Sequence, residues 1–244
     1  MVKRKPQPFR RFIPNLVTIM AICAGLTSIR FGIDGRFDHA MYLILLAVIF
    51  DAADGRIARI LNSASPMGAE LDSLADFFNF GIAPGILVYL SIFKSTDGAN
   101  IGWVAVLLLC VCCALRLARF NVALQAPSTK KTQTFFVGVP APVLACLVLL
   151  PMYLLMIGVE LVKDLPFILF IYFLIVGGLA AGTLPTYSLK NLRIKPSLQL
   201  PIMLGVVLFI VMFVVYPWHV LIFADLAYLV SIPLAVRAYN RMED

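Results

Sequence analysis

Four aspartates in one short stretch of the chain have the residue type and the spacing of a cation-binding site. Five of the 13 acidic residues fall between residues 51 and 76, and four of these are Asp51, Asp54, Asp72 and Asp76. At 100° per residue, the first two share one helix face and the last two, four positions apart, share another. The residues 62–66 predict a turn between them, so that the two faces can meet across a helical hairpin.

Carboxylates that approach within about 4 to 6 Å repel one another and need a countercharge. Two divalent cations balance four aspartates, and hard oxygen ligands favour Mg²⁺, Mn²⁺ or Ca²⁺ over Zn²⁺. The alternative is that the aspartates pair with Arg56, Arg59 or Arg116 in a buried charge network. Such a network accounts for one or two of the acids but not for four at this spacing.

Small residues are interleaved with the aspartates. Gly55, Ala58 and Gly68 leave a slot in which a flat base and a diphosphate can approach the helix backbones. Arg59 lies on the same helix face as Asp51 and can contact a phosphate through two hydrogen bonds. A cation site, a slot and an arginine together indicate a site for a nucleotide diphosphate.

The elements that must position these residues are predicted to be membrane helices. Hydrophobic residues make up 61% of the 244 residues and charged residues only 14%, and the mean hydropathy is +0.96, far from the balance of a soluble domain. A spanning helix needs roughly 20 apolar residues. Eight stretches qualify: 13–31, 38–60, 74–93, 101–118, 137–157, 165–187, 200–219 and 220–237. We therefore expect an all-α integral membrane protein with about eight transmembrane helices and a site cavity that faces the cytoplasm.

The basic residues indicate the orientation of these helices. With both termini in the cytoplasm, all of the 20 lysines and arginines fall inside except Arg30, Arg36, Lys94 and Lys163, as the positive-inside rule expects. The net charge of +7 does not indicate a nucleic acid partner, because these residues form no single stripe with aromatics between them.

The same pattern predicts the domain organisation. A basic juxtamembrane segment, 1–12, is expected to lie on the anionic inner leaflet. A single transmembrane domain, 13–237, and a cytoplasmic tail, 238–244, follow it. The predicted location is a cytoplasmic (inner) membrane of bacterial type, with the site on the cytoplasmic side.

The pattern Asp51-x2-Asp54-Gly55-x2-Ala58-Arg59-x8-Gly68-x3-Asp72-x3-Asp76 resembles the complete signature of the CDP-alcohol phosphatidyltransferases, with every position matched. The stretch from Pro14 to Thr18 resembles a segment that lies beside the nucleotide in this family. The resemblance implies that the four aspartates hold two Mg²⁺ or Mn²⁺ ions on the diphosphate of CDP-diacylglycerol and that Asp76 is also the catalytic base. The residues implied to bind the CDP and diphosphate are Thr18, Gly55, Ala58, Arg59 and Gly68.

Three further runs resemble the phosphatidylserine synthase branch of this family: ADFFNFGIAP, RLARFNV from Arg116 to Val122, and FFVGVPAP from Phe135 to Pro142. The resemblance covers about the first 145 residues. It implies that a phosphatidyl group is transferred to L-serine, that CMP leaves, and that the protein is a homodimer in contact with membrane lipid.

A serine site needs a cation for the carboxylate of serine. Arg116 and Arg119 are expected at the cytoplasmic end of the fourth helix, where one of them would bind that carboxylate with the help of Asn121. The alternative is that these arginines anchor lipid headgroups.

Two other functions remain open at this point. The chain can use the same donor with another alcohol, such as choline, glycerol 3-phosphate or inositol phosphate. It can also be a transporter whose aspartates bind a metal ion, although a transporter would place its acids along a path through the bilayer midplane.

Overall fold

Helices account for most of residues 12–63, 65–124, 135–187 and 199–240, the part of the chain that the computed structural model describes. In chain order they are α1 (Ile13–Ile33), α2 (Phe37–Ile60), α3 (Pro66–Phe93), α4 (Ala99–Leu124), α5 (Ala141–Met156), α6 (Pro166–Ala181), α7 (Gln199–Val215) and α8 (Pro217–Asn240). The short strands β1 (Phe135–Val137) and β2 (Pro185–Tyr187) pair antiparallel, and Glu160–Asp164 forms a 3₁₀ turn.

The predicted all-α class is confirmed, and a helix lies at each of the eight predicted apolar stretches in the described residues. Four helices are long and apolar enough to cross a membrane: Ile13–Ile33, Pro66–Phe93, Ala99–Ala123 and Pro217–Tyr239. The helices α5, α6 and α7 are apolar but shorter, and α2 carries the charged residues of the site. A full set of eight spans with cytoplasmic termini stays a prediction.

Two of the predicted apolar stretches extended beyond the helix at one end. Gly138 has φ +80°, a backbone conformation that interrupts regular structure, and α5 begins only at Ala141, after Pro140. In the second stretch, α6 ends at Ala181, because the backbone of Gly182 is extended. Pro185–Tyr187 then form β2. Hydropathy alone missed this small strand pair, because three-residue strands leave no periodic signal. Most of the predicted basic segment and the last residues of the predicted tail lie outside the described residues.

The centre of the protein is built from α3, α4, α5 and α6. Phe80 and Phe93 of α3, Tyr153 of α5 and Phe173 of α6 are almost completely buried there. By contrast, α7 has no buried residue and packs against α8. Exposed apolar side chains of this kind are expected where lipid covers the surface.

The helix that carries the last two aspartates is not uniform. Pro66–Asp76 is α-helical, Phe77–Ile82 is a π-helix, Ala83–Val88 is α-helical again, and Tyr89–Phe93 is a second π-helix. Each π segment makes its turn wider than an α-helical turn and so changes the direction in which the following residues face. The first π segment begins directly after Asp76 and therefore sets the orientation of the aspartates relative to the buried end of α3.

The small residues of α1 let it approach this π segment closely. A Cβ atom at Gly25 would overlap the side-chain oxygen of Asn79, a buried residue of the segment. Glycine at position 25 is therefore required by the close contact between α1 and α3.

Replacing Gly25 with Ala is expected to destabilise the protein. Overpacking of this kind costs about 1–3 kcal/mol, which corresponds to a fall in melting temperature of about 3–10 °C for a protein of this size. Thermal unfolding of the purified protein in detergent measures the change. The control is Gly205→Ala in α7, where nothing lies within 4 Å of the added Cβ, and an equal effect of the two substitutions would contradict the expectation.

Candidate active site

A tight connection between α2 and α3 brings the two aspartate-bearing faces together. Asn62 has φ 47°, and Ser63 N donates to Ala58 O while Asn62 N donates to Arg59 O. This pair of bonds is a Schellman ending, which needs a left-handed residue such as Asn after the helix. Ser65 then caps α3 by accepting a hydrogen bond from Gly68 N at 3.0 Å, and Pro66 occupies the first turn. The predicted turn is confirmed, and its local sequence explains why it forms.

Three of the four predicted aspartates meet across this hairpin. Carboxylate oxygens of Asp51 on α2 and of Asp72 and Asp76 on α3 all lie within 4.8 Å of one another. We call these three residues the aspartate cluster. Its members differ in exposure, since Asp72 is exposed and the other two are half-buried.

The fourth aspartate is held beside the cluster by the first helix. Asp54 is buried, with 4% of its surface exposed, and its Oδ2 accepts a hydrogen bond of 2.6 Å from Thr18 Oγ1. The same hydroxyl lies 3.1 Å from the carbonyl oxygen of Pro14. Thr18 therefore contacts a carboxylate of the site, a pairing of residues that sequence spacing alone did not reveal.

A cavity of about 160 Å³ opens next to Asp54 and Asp72. Four of the five residues predicted to bind a nucleotide diphosphate line it, namely Thr18, Gly55, Ala58 and Gly68. Its remaining lining residues are Pro14, Asn15, Ser63, Ser65 and Ala69. Ser63 and Ser65 were not predicted, and the signal that could have indicated them is the turn that they flank.

The two glycines of the cavity have different roles. A Cβ at Gly68 would lie 2.9 Å from Asn15 Oδ1 and 3.1 Å from Ser65 Oγ, so glycine there permits the close approach of α1. A Cβ at Gly55 would meet nothing within 4 Å and would instead project into open space. The absence of a side chain at Gly55 thus leaves this part of the cavity open.

Arg59 does not line the cavity. Its side chain is exposed, and Nε donates a hydrogen bond of 3.0 Å to the carbonyl oxygen of Gly55, one turn earlier on α2. The guanidinium is therefore close to the rim of the cavity but points along its own helix.

The three residues predicted to bind serine lie on α4 and have different surroundings. Arg116 Nε donates to the carbonyl oxygen of Val139, and its Nη1 is buried with no hydrogen-bond partner among the described residues. Arg116 also lies within electrostatic range of Asp76. Asn121 Nδ2 donates to Ser73 Oγ at 3.0 Å. This bond connects α4 to α3 at a residue that follows Asp72 directly in the sequence.

Arg119 contacts the C-terminal end of α6. Its guanidinium donates to the carbonyl oxygens of Ala181 and Gly182 at the end of α6. A cation at a helix C-terminus satisfies carbonyls that have no partner within the helix and complements their partial negative charge. The contacts of Arg119 are therefore those of a residue that holds α6 in place.

The aspartate cluster fits a divalent cation. Within the described part of the chain no lysine or arginine forms an ion pair with its three carboxylates, and Asp76 Oδ1 is buried without a hydrogen-bond partner. Several carboxylate oxygens at short mutual distance form the donor set that hard cations such as Mg²⁺ and Mn²⁺ prefer. The three carboxylates, with Asp54 beside them, are the residues that would hold the metal.

Comparison with known proteins gives two family matches. The model of the CDP-alcohol phosphatidyltransferase family matches residues 11–184, which include the hairpin, the cavity and both arginines of α4. A second model, described as CDP-alcohol phosphatidyltransferase 2, matches residues 197–233.

Several curated proteins named CDP-diacylglycerol–serine O-phosphatidyltransferase are similar to this chain. The protein of Mycobacterium leprae is 50% identical over 133 residues, which are 54% of this chain and 43% of the relative. That of Helicobacter pylori strain 26695 is 38% identical over 138 residues, 56% of this chain and 55% of the relative. That of Methanocaldococcus jannaschii is 36% identical over 130 residues, 53% of this chain and 55% of the relative. The chain thus spans about half the length of the curated relatives it matches.

Replacing Thr18 with Val is expected to weaken divalent-cation binding. The substitution keeps the shape of the side chain but removes the donor to Asp54, and loss of such a supporting hydrogen bond typically lowers metal affinity by about 10- to 100-fold. Titration with Mn²⁺, followed by electron paramagnetic resonance of the free ion, measures the affinity. Thr27→Val is the control, because Thr27 lies on the same helix and donates only to the carbonyl oxygen of Cys23. Unchanged affinity in Thr18→Val would show that the Thr18–Asp54 contact does not support the site.

Proposed function

Because the chain belongs to the CDP-alcohol phosphatidyltransferase family, we propose that it transfers a phosphatidyl group from CDP-diacylglycerol to L-serine and releases CMP. The observation that carries this proposal is the aspartate cluster, which lies beside a cavity lined by small residues at the end of a membrane helix pair. The names of the curated relatives support serine as the acceptor.

In the proposed reaction the serine hydroxyl oxygen attacks the phosphorus that bears the diacylglycerol. A new P–O bond forms, the P–O bond to CMP breaks, and the hydroxyl proton passes to a carboxylate. Asp76 is the proposed base, because its Oδ1 is buried, has no partner among the described residues and belongs to the cluster. A positioned carboxylate contributes typically 10²–10⁴-fold to such proton transfers.

Two divalent cations, Mg²⁺ or Mn²⁺, are proposed to neutralise the charge on the diphosphate when they are bound. Asp51, Asp72 and Asp76 offer ligands from the cluster, and Asp54 offers one from the wall of the cavity. Thr18 would keep Asp54 oriented. Gly55, Ala58 and Gly68 would admit the CDP group, and Arg59 would reach a phosphate at the rim by leaving its contact with Gly55.

Arg116 is the proposed ligand of the serine carboxylate. Its Nη1 is buried and has no hydrogen-bond partner among the described residues, whereas the guanidinium of Arg119 is engaged by the end of α6. We assign Arg119 and Asn121 the task of holding α6 and α3 around this position. Asn121 can assist directly, since its amide lies next to the cluster-bearing face of α3.

The proposed location is a cytoplasmic membrane, with both termini and the site on the inner side. The distribution of lysine and arginine supports this orientation. A homodimer is proposed from the family resemblance alone, because exposed apolar helices are expected in any bilayer protein and do not bear on it.

The acceptor is tested with a panel of alcohols. Purified protein with CDP-diacylglycerol and Mn²⁺ is expected to release CMP rapidly with L-serine and at least about tenfold more slowly with choline, glycerol 3-phosphate or inositol phosphate. Choline offers no anionic group to Arg116, and a phosphate is larger and more highly charged than the carboxylate of serine. Chelation of the cation should abolish release with every alcohol. Preference for another alcohol would replace serine in the proposal, and no CMP release with any of them would favour transport instead.

The two arginines are distinguished by their kinetic effects. Arg116→Gln is expected to raise the apparent KM for L-serine by about 10- to 100-fold, since a hydrogen bond to a charged group contributes about 1.5–3 kcal/mol. It should leave the KM for CDP-diacylglycerol within about twofold. Arg119→Gln serves as the matched substitution and should lower the melting temperature with little change in the KM for serine. The reverse pattern would assign the carboxylate to Arg119.

A further inference from the structure

Six buried side-chain polar atoms have no hydrogen-bond partner among the described residues. Three of them, on separate helices, belong to Arg116 and to two residues within its electrostatic range: Arg116 Nη1 on α4, Asp76 Oδ1 on α3 and Tyr228 Oη on α8. Buried polar groups in proteins are nearly always paired. Unpaired polar atoms that lie near one another on separate helices therefore indicate a place where a polar molecule binds.

The strand pair brings two of these helices together. Arg116 Nε on α4 donates to the carbonyl oxygen of Val139. The preceding residue, Gly138, accepts a hydrogen bond of 3.0 Å from Thr186 Oγ1 on β2. Both α4 and β2 are thus attached to the same two residues after β1, and α8 packs directly against β2.

This arrangement places Tyr228 within electrostatic range of Arg116. Tyr228 packs against the core of the protein, and its hydroxyl lies beside Thr186 and within electrostatic range of the Arg116 guanidinium. Arg116 is likewise within range of Asp76. Arg116 therefore lies within electrostatic range of both unpaired groups, the carboxylate of Asp76 and the hydroxyl of Tyr228.

The three groups match the functional groups of a small hydroxy acid. A carboxylate can accept one hydrogen bond from a guanidinium and a second from a tyrosine hydroxyl, while the alcohol of the same molecule donates to a carboxylate on the opposite side. A neutral tyrosine supplies its hydrogen bond without adding a second charge inside the membrane domain, where charges are costly.

We propose that Tyr228 is a specificity-determining residue of the acceptor site, where its hydroxyl donates a hydrogen bond to the carboxylate that Arg116 also binds. This inference rests on the proposed function and adds to it a residue of the last helix, far from the signature in the sequence. An acceptor without an anionic group, such as choline, would leave both the guanidinium and the hydroxyl unpaired. The free-energy cost of leaving these two buried donors unpaired would weaken the binding of such an acceptor.

A second orphaned hydroxyl supplies the matched control. Tyr153 Oη is also buried without a partner among the described residues, but its ring stacks on Trp218 with centroids 5.9 Å apart. The Tyr153 hydroxyl is within electrostatic range of Asp225, whereas the Tyr228 hydroxyl is within range of Arg116. The Tyr153→Phe variant therefore removes an equivalent buried hydroxyl that has different neighbours.

The test compares Tyr228→Phe, Tyr153→Phe and the unchanged protein in CMP release from CDP-diacylglycerol with L-serine. Tyr228→Phe should raise the apparent KM for serine about tenfold or more, the loss expected for one hydrogen bond to a charged group. Its KM for CDP-diacylglycerol and its melting temperature should stay close to those of the unchanged protein, as should all three values for Tyr153→Phe. With serinol, which lacks the carboxylate, Tyr228→Phe and the unchanged protein should have the same KM.

The outcomes separate the two proposals. An unchanged protein that releases CMP with serine, together with a Tyr228→Phe variant of equal KM, would overturn the role of Tyr228 and leave the proposed function standing. An equal rise in the KM for serine and serinol would also overturn it, because the hydroxyl would then not act on the carboxylate. An unchanged protein that forms no phosphatidylserine would overturn the proposed function and this inference with it.

Discussion

Repulsion among the carboxylates is the constraint on which the rest of the site depends. Two charges separated by 4.8 Å at the edge of a protein repel by about 3–4 kcal/mol when the effective dielectric constant is about 20. The cluster contains three such pairs, so the hairpin must hold its two helices together against a force that would open it. The Schellman ending at Asn62 and the Ser65 cap fix the turn from within. The contacts of α1 with both helices hold it from outside.

The same repulsion couples cation binding to the structure. A bound divalent cation removes the repulsion, so the folded hairpin and the cation stabilise each other. Asp54 also lies within electrostatic range of Asp51 and Asp72, but it accepts a hydrogen bond from Thr18. The protein therefore supplies a hydroxyl donor to one of the four carboxylates, and a cation would offset the repulsion that remains among them.

Much of this arrangement follows from local sequence. The spacing of four between Asp72 and Asp76 places both on one face of an α-helix, and the residues 62–66 fix the turn. Each of these features depends on residues that are close in sequence, which is why periodicity and turn chemistry predicted them. The positions of the helices followed in the same way from runs of apolar residues.

The features that were not predicted all depend on distant residues. Thr18 and Asp54 are 36 positions apart, and Arg119 is 61 to 63 positions from the carbonyls that it contacts. A sequence shows that Arg119 is a cation near a helix end but not which helix end it satisfies. The π segments of α3 were likewise not predicted, and the first of them contains the buried residues Asn79 and Phe80.

The helices that line the cavity differ from the helices that carry the residues proposed to bind the acceptor. Asp54, Asp72 and small residues of α1, α2 and α3 line one cavity, and Asp51 and Asp76 lie with Asp72 in the aspartate cluster. Arg116 and Tyr228 come from α4 and α8, and the strand pair β1–β2 connects these two helices. The strand pair is separate from the α2–α3 hairpin, but Arg116 lies within electrostatic range of Asp76. The proposed acceptor residues and the carboxylates are therefore coupled through this arginine.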